Sequence, residues 1–130
     1  MTEDDVMQWV DRYERAWRDG ALDAVDALFT PDAVYSRSPY LAPDVGVDAI
    51  KAFWLEDDDE VFTMRAEPVA VDGATAVVRV EVRYGEPVRQ EYRDLWVLRF
   101  ADDGRVESYE EWPFWPEKPS TGPQATSPSG

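Results

Sequence analysis

Residues 9–35 read WVDRYERAWRDGALDAVDALFTPDAVY, and the spacing of the apolar side chains in this stretch decides the fold. Trp9, Val10, Tyr13, Ala16 and Trp17, with Val6 just upstream, recur at three- and four-residue intervals, so they share one helical face. Gly20 is a natural stop, because glycine adopts the left-handed backbone that ends helices. A second stripe at Leu22, Val25, Leu28 and Phe29 follows, and Pro31-Asp32 closes it. The stretch predicts a helical hairpin with a very short connection, leading into a strand over Ala33–Arg37. Upstream, Thr2 and Asp5 stand in the Ser/Thr-x-x-acid spacing that starts helices, with acids at the positive end of the dipole.

Downstream, Ser38–Gly46 contains Pro39, Pro43 and Gly46 and reads as a loop. Val47, Ile50, Phe53 and Trp54 then mark a third, short amphipathic helix. The run EDDDE at 56–60 predicts a solvated connection rather than a metal site, since adjacent carboxylates diverge and no glycine shapes a cation loop. From Val61 the period changes to two. Val61–Val71, Ala74–Tyr84, Val88–Phe100 and Arg105–Trp112 are rich in Val, Phe, Tyr and Trp, and turn residues at 72–73, 85–87 and 102–104 separate them. That is an antiparallel meander. Helices first and strands afterwards predict an α+β layer fold over residues 1–115. Residues 116–130, rich in Pro, Ser and Gly, predict a disordered tail.

A chain of 130 residues suits one domain with a real core. It has no cysteine and no histidine, which removes disulfides, thiolate metal sites, a cysteine nucleophile and the commonest general base. Neither a metal nor an organic cofactor is expected. Twenty-eight acids against thirteen bases give a net charge of −15, so nucleic acid and anionic membranes are poor partners. The N-terminus MTEDDV lacks the regions of a signal peptide, and a cytoplasmic location is the expectation. Six tryptophans call for a core, a pocket wall or an interface.

Three segments, RYERAW…G-x-LDAVDALFTPDAVY, GVDAIKAFW and LRFADDGRVESYEEW, together resemble the SnoaL-like branch of the nuclear transport factor 2-like superfamily, over about residues 6–115. The resemblance implies a cone: a three-helix layer on a strongly curved, mainly antiparallel mixed sheet, with a small-molecule pocket at the open end. It also implies a homodimer through the convex face of the sheet. The fold hosts many unrelated functions, so the site has to decide the activity.

Two enzyme groups of the superfamily give residue-level comparisons. Tyr13 matches the first-helix tyrosine of the ketosteroid isomerases, but Arg37 falls at the position of their base and Trp96 at that of their second acid. With two of three working groups missing, that chemistry is rejected. The limonene-type epoxide hydrolases use an Arg-x-Asp on one strand and a further Asp on the last strand. Arg79-Val80-Glu81 and Glu111 match that pattern, with Glu in place of both Asp residues. On strand Ala74–Tyr84, Ala76, Val78, Val80 and Val82 form the clean apolar face, and read alone this face would pack on the helices. The resemblance implies the reverse, with the valines at a dimer interface and Arg79 and Glu81 in the cone. A one-residue slip exchanges the two readings.

Taking the second reading, the predicted catalytic groups are Glu111, Glu81, Asp94, Arg79 and Tyr13. The predicted ligand-binding residues are Trp17, Tyr35, Arg37, Trp54, Tyr92, Trp96 and Tyr109. Trp54 also fits plain core packing, and Asp94 also fits an ion pair with Arg79 or Arg37. The cluster at 112–115 is expected to cap the sheet or cover a neighbouring subunit. The expected function is binding of a small, largely apolar molecule, with acid–base catalysis of the isomerase, cyclase or epoxide-hydrolase type. The alternatives are a non-catalytic ligand-binding or accessory module, and a protein-interaction role for the valine face.

Overall fold

The computed structural model describes residues 1–55 and 61–116. The acidic run at 56–60 and residues 117–130 of the expected tail lie outside them. Three helices, α1 (Glu3–Asp19), α2 (Asp23–Leu28) and α3 (Val47–Leu55), pack on a sheet of six strands. The strands are β1 (Phe29–Ser36), β2 (Asp44–Val45), β3 (Phe62–Asp72), β4 (Thr75–Tyr84), β5 (Gln90–Phe100) and β6 (Val106–Phe114). Their order is β2-β1-β6-β5-β4-β3, and the sheet does not close. Among the described residues only β1 and β6 pair in parallel; the other neighbours are antiparallel.

The helical hairpin forms for the reasons its spacing gives. Thr2 accepts from the Asp5 amide while Asp5 accepts from the Thr2 amide, so two backbone donors of the first turn are satisfied. Gly20 ends α1 at φ 61°, a conformation that would strain any residue with a Cβ. Trp9, fully buried, donates its indole N–H to the Leu28 carbonyl at 3.0 Å and fastens α1 to the end of α2. The second stripe differs in one respect from its reading as a helix. α2 stops at Leu28 and β1 begins at once with Phe29, so Pro31 and Asp32 lie within the strand and do not terminate the helix. They are exposed, and the pairing of β1 with β6 skips over them between Phe29 and Val34, where a missing proline N–H breaks no ladder bond. The expected 38–46 loop contains the two-residue strand β2.

On β4, Ala76, Val78 and Val80 are buried in the core, and Val82 packs against it. Arg79 and Glu81 therefore point to the outer face, which corrects the placement implied by the resemblance. Energetics explain the choice. Each buried valine contributes about 1.5–3 kcal/mol, whereas an ion pair buried in its place would have to offset its own dehydration. The same correction removes these valines from any dimer or partner interface.

Candidate functional site

Between the helices and the inner face of the sheet lies a cavity of about 960 Å³. Strand alternation builds it. Tyr92, Asp94 and Trp96 on β5, and Tyr109 and Glu111 on β6, share the inner face, with Trp96 opposite Glu111 and Leu98 opposite Tyr109. Tyr35 of β1 sits beside Tyr109 in the parallel register. From the helix side, Tyr13 and Trp17 project from successive turns of α1, and Phe53 from α3.

The polar centre is a carboxyl pair surrounded by rings. Asp94, 4% exposed, is the one buried charged residue among those described. Its Oδ1 has no hydrogen-bond partner. Burial, and then the hydrogen bonding and charge of neighbouring Glu111, push its carboxyl up to about 10, against a weaker opposing effect of the Trp96 indole N–H. Asp94 is thus a neutral acid at pH 7. Glu111 accepts from the Tyr109 hydroxyl at 3.0 Å. The hydroxyls of Tyr13 and Tyr35 meet at 2.6 Å. Burial first, with the charge of Glu111 contributing in each case, raises all three phenols, so they act as neutral donors. The rings of Trp17, Tyr13, Tyr109 and Tyr35 lie nearly parallel in one column, at centroid separations of 6.2, 5.9 and 4.3 Å. Trp96 meets Tyr13 edge-on at 5.0 Å.

Of the predicted catalytic groups, Glu111, Asp94 and Tyr13 come together here. Arg79 and Glu81 do not: Arg79 pairs with Glu67 on the outer face at 2.7 Å, and Glu81 lies 3.7 Å from Arg83. The first carboxylate of the pair comes from β5 rather than β4, so the stretch to set against the hydrolase pattern is Tyr92-Arg93-Asp94, with tyrosine where that pattern has arginine. Trp17, Tyr35, Arg37, Tyr92, Trp96 and Tyr109 line the cavity. Trp54 stands behind the wall, edge-on to both Tyr13 and Trp17 and 6% exposed. Arg37 pairs with Asp44 at 3.1 Å and lies 4.3 Å over the Phe53 ring. Neither it nor Arg79 pairs with Asp94, which excludes the ion-pair reading of that residue.

Sequence reasoning missed part of the lining. Residues 112–115 form a wall of the cavity, with Trp115 5.5 Å from Tyr92, instead of only capping the sheet. Phe62, Met64, Val82 and Tyr84 extend it along β3 and β4, and their even-numbered alternation was the available signal. Ser38–Leu41 also contribute, with Tyr40 almost wholly exposed, and no periodicity marks a loop.

Residues 10–109 match the family model of the SnoaL-like domain. No protein of curated function matches the sequence. Among solved structures, an epoxide hydrolase from M. tuberculosis of the limonene-epoxide-hydrolase-like type superposes with a TM-score of 0.69 at 18% identity, over 86% of this chain and 84% of that one. SalBIII, an epoxide hydrolase/cyclase-like enzyme of pyran ring formation in the polyether salinomycin, gives 0.70 at 18% identity, over 85% and 89%. A protein from Sinorhizobium meliloti, provisionally assigned as a polyketide cyclase, gives 0.62 at 28% identity, over 85% and 99%.

Proposed function

The chain belongs to the SnoaL-like domain family, and from that premise we propose that it is a cofactor-independent acid–base enzyme acting on a small, largely apolar molecule that carries an epoxide or ketone oxygen. The observation that supports this reading is the Asp94–Glu111 pair in an aromatic cavity: Asp94 is buried and held protonated beside Glu111, and Glu111 accepts from the Tyr109 hydroxyl. Two titratable groups whose surroundings separate their protonation states are what acid and base assignments rest on.

For an epoxide, Glu111 takes a proton from water, or from a hydroxyl of the same substrate, as that oxygen attacks a ring carbon. The carbon–oxygen bond of the epoxide breaks, and Asp94 gives its proton to the departing oxygen. The product is a diol or a cyclic ether alcohol. Return of the proton from Glu111 to Asp94 then restores the starting state. For a ketone, Glu111 removes the α-proton while Asp94 donates to the oxygen. Tyr109 holds the base in place through its 3.0 Å hydrogen bond.

The test is turnover of a panel of epoxides and polycyclic ketones by wild type and by Glu111→Gln and Asp94→Asn. The expected result is a loss of about a hundredfold or more in each variant, the upper part of what a positioned acid or base contributes. Activity that survives both substitutions refutes the reading. A second reading, a non-catalytic binding module, is favoured by Tyr92 standing where the hydrolase pattern has arginine. Ligand-induced thermal stabilisation with the ligand recovered chemically unchanged would support it.

A further inference from the structure

The lining of the cavity changes character between its buried and its exposed part. The buried part holds Asp94, Tyr35 and Tyr109, with Glu111 beside them. The exposed lining residues are Pro39, Tyr40, Leu41, Arg89, Trp112 and Phe114, and no acid is among them, although the chain carries 28. Arg89 aside, these side chains are apolar or aromatic, so the open end is an apolar rim on a strongly acidic protein. Two of them stand out: Tyr40 is 97% exposed and Leu41 53%. They occupy the tip of a loop whose feet are fixed. Val34 and Tyr35 pair with Val45 and Asp44, Arg37 meets Asp44 at 3.1 Å, and the Gly46 amide donates to the Ala33 carbonyl at 2.8 Å. At the tip, the Leu41 amide donates to the Ser38 carbonyl at 3.2 Å and closes a turn. Pro39 and Pro43 fix two backbone angles in the loop, which lowers the entropy cost of ordering it against a ligand.

A large side chain left in water at the edge of an aromatic cavity has burial still to gain, and an apolar ligand surface would supply it. The cavity's 960 Å³ stands near the top of the range of about 300–1,000 Å³ usual for small-molecule sites. A ligand that fills such a volume extends from the carboxyl pair to the rim. Resting on the ligand site proposed above, we propose that Ser38–Leu41 is a strap that closes over the bound molecule, with Tyr40 and Leu41 packing on its outer end. The substrate class this implies has the reactive oxygen at one end and an apolar tail of several carbons at the other. Tyr40 and Leu41 are then specificity-determining residues: they select for the tail and stand apart from the proton transfers.

A matched pair of probes tests this directly. Acetophenone and 4′-pentylacetophenone share a ketone head and differ only in the apolar tail, and binding of each is followed by quenching of tryptophan fluorescence. Tyr40→Ala is expected to weaken the pentyl ketone about tenfold, the scale of one lost apolar side-chain contact, and acetophenone less than twofold. Tyr40→Phe keeps the ring and is expected to bind both as wild type does. A second measurement uses the exposure of Tyr40 against the burial of Tyr13, Tyr35 and Tyr109. Nitration by tetranitromethane, mapped by peptide mass spectrometry, is expected to start at Tyr40 and to slow there at least fivefold under saturating pentyl ketone. An equal loss for both ketones in Tyr40→Ala, unchanged nitration of Tyr40 in the complex, or no binding of the pentyl ketone up to its solubility limit would each overturn the inference. The two proposals fail separately. Binding of the pentyl ketone that ignores Tyr40 removes this one alone, and binding that depends on Tyr40 without turnover of any epoxide or ketone removes the catalytic one alone.

Discussion

Asp94 holds its proton at neutral pH because its carboxyl is buried next to a second one, and that arrangement has a thermodynamic sign. Its folded-state value lies above the ordinary 3.8, so the folded protein binds more protons than the unfolded chain between about pH 4 and pH 10. The contribution to stability is present in full below the unfolded value and is lost as pH rises towards the folded one. Asp94→Asn keeps a donor towards Glu111 and cannot ionise. It is expected to stabilise the protein by about 1–3 kcal/mol at pH 8, the scale of relieving one poorly satisfied buried group. Its melting temperature should also vary less with pH than that of wild type; melts from pH 5 to pH 9 check both, and an unchanged pH dependence refutes the account. Asp94 and Glu111 were legible in the sequence as inward members of alternating strands. Their partnership was not, because it depends on how β5 and β6 align, and no local pattern encodes that register.

At the scale of the element, β4 gives the sharpest contrast. Val78→Asp places an unpaired carboxylate in the core and is expected to cost more than about 3 kcal/mol, by urea denaturation. Arg79→Ala and Glu81→Ala, at exposed or half-exposed positions on the other face, are expected to change stability by less than about 1 kcal/mol. They should leave ligand binding unaltered; a binding loss in either would restore the rejected orientation. Thr2→Ala should cost about 1 kcal/mol by removing one half of the capping box. The helices were readable because 3.6-residue periodicity, a cap and a glycine stop agree in one stretch. The orientation of β4 was also readable, from Ala76, Val78, Val80 and Val82 alone. The family resemblance implied the opposite face, and the burial of these side chains overrides it. Phe29 and Pro31 misled for a different reason: an apolar residue at helical spacing is buried equally well as the first residue of a strand.

For the whole molecule, the outer face of the sheet matters most. With the β4 valines in the core, its apolar content includes the cross-strand pair Val77–Val97 and Leu95, the last at 38% exposure. Exposed apolar side chains grouped on one face are what an association surface would use. A homodimer through it is the expected state, with twice the chain mass in light scattering and conversion to monomer by Leu95→Glu; a monomeric wild type refutes it. Among the described residues no helix is long and apolar enough to cross a membrane. One further consequence follows from the single parallel pairing. Tyr35 belongs to the first strand, Tyr109 and Glu111 to the last of six, and some seventy residues of chain lie between them. The helical hairpin can form from neighbours, but the floor of the cavity cannot exist until β6 inserts between β1 and β5. Such long-range closure slows folding. Until β6 is in place, the aromatic stripe of α1 lacks part of the sheet it packs on, and Asp94 lacks Glu111 beside it.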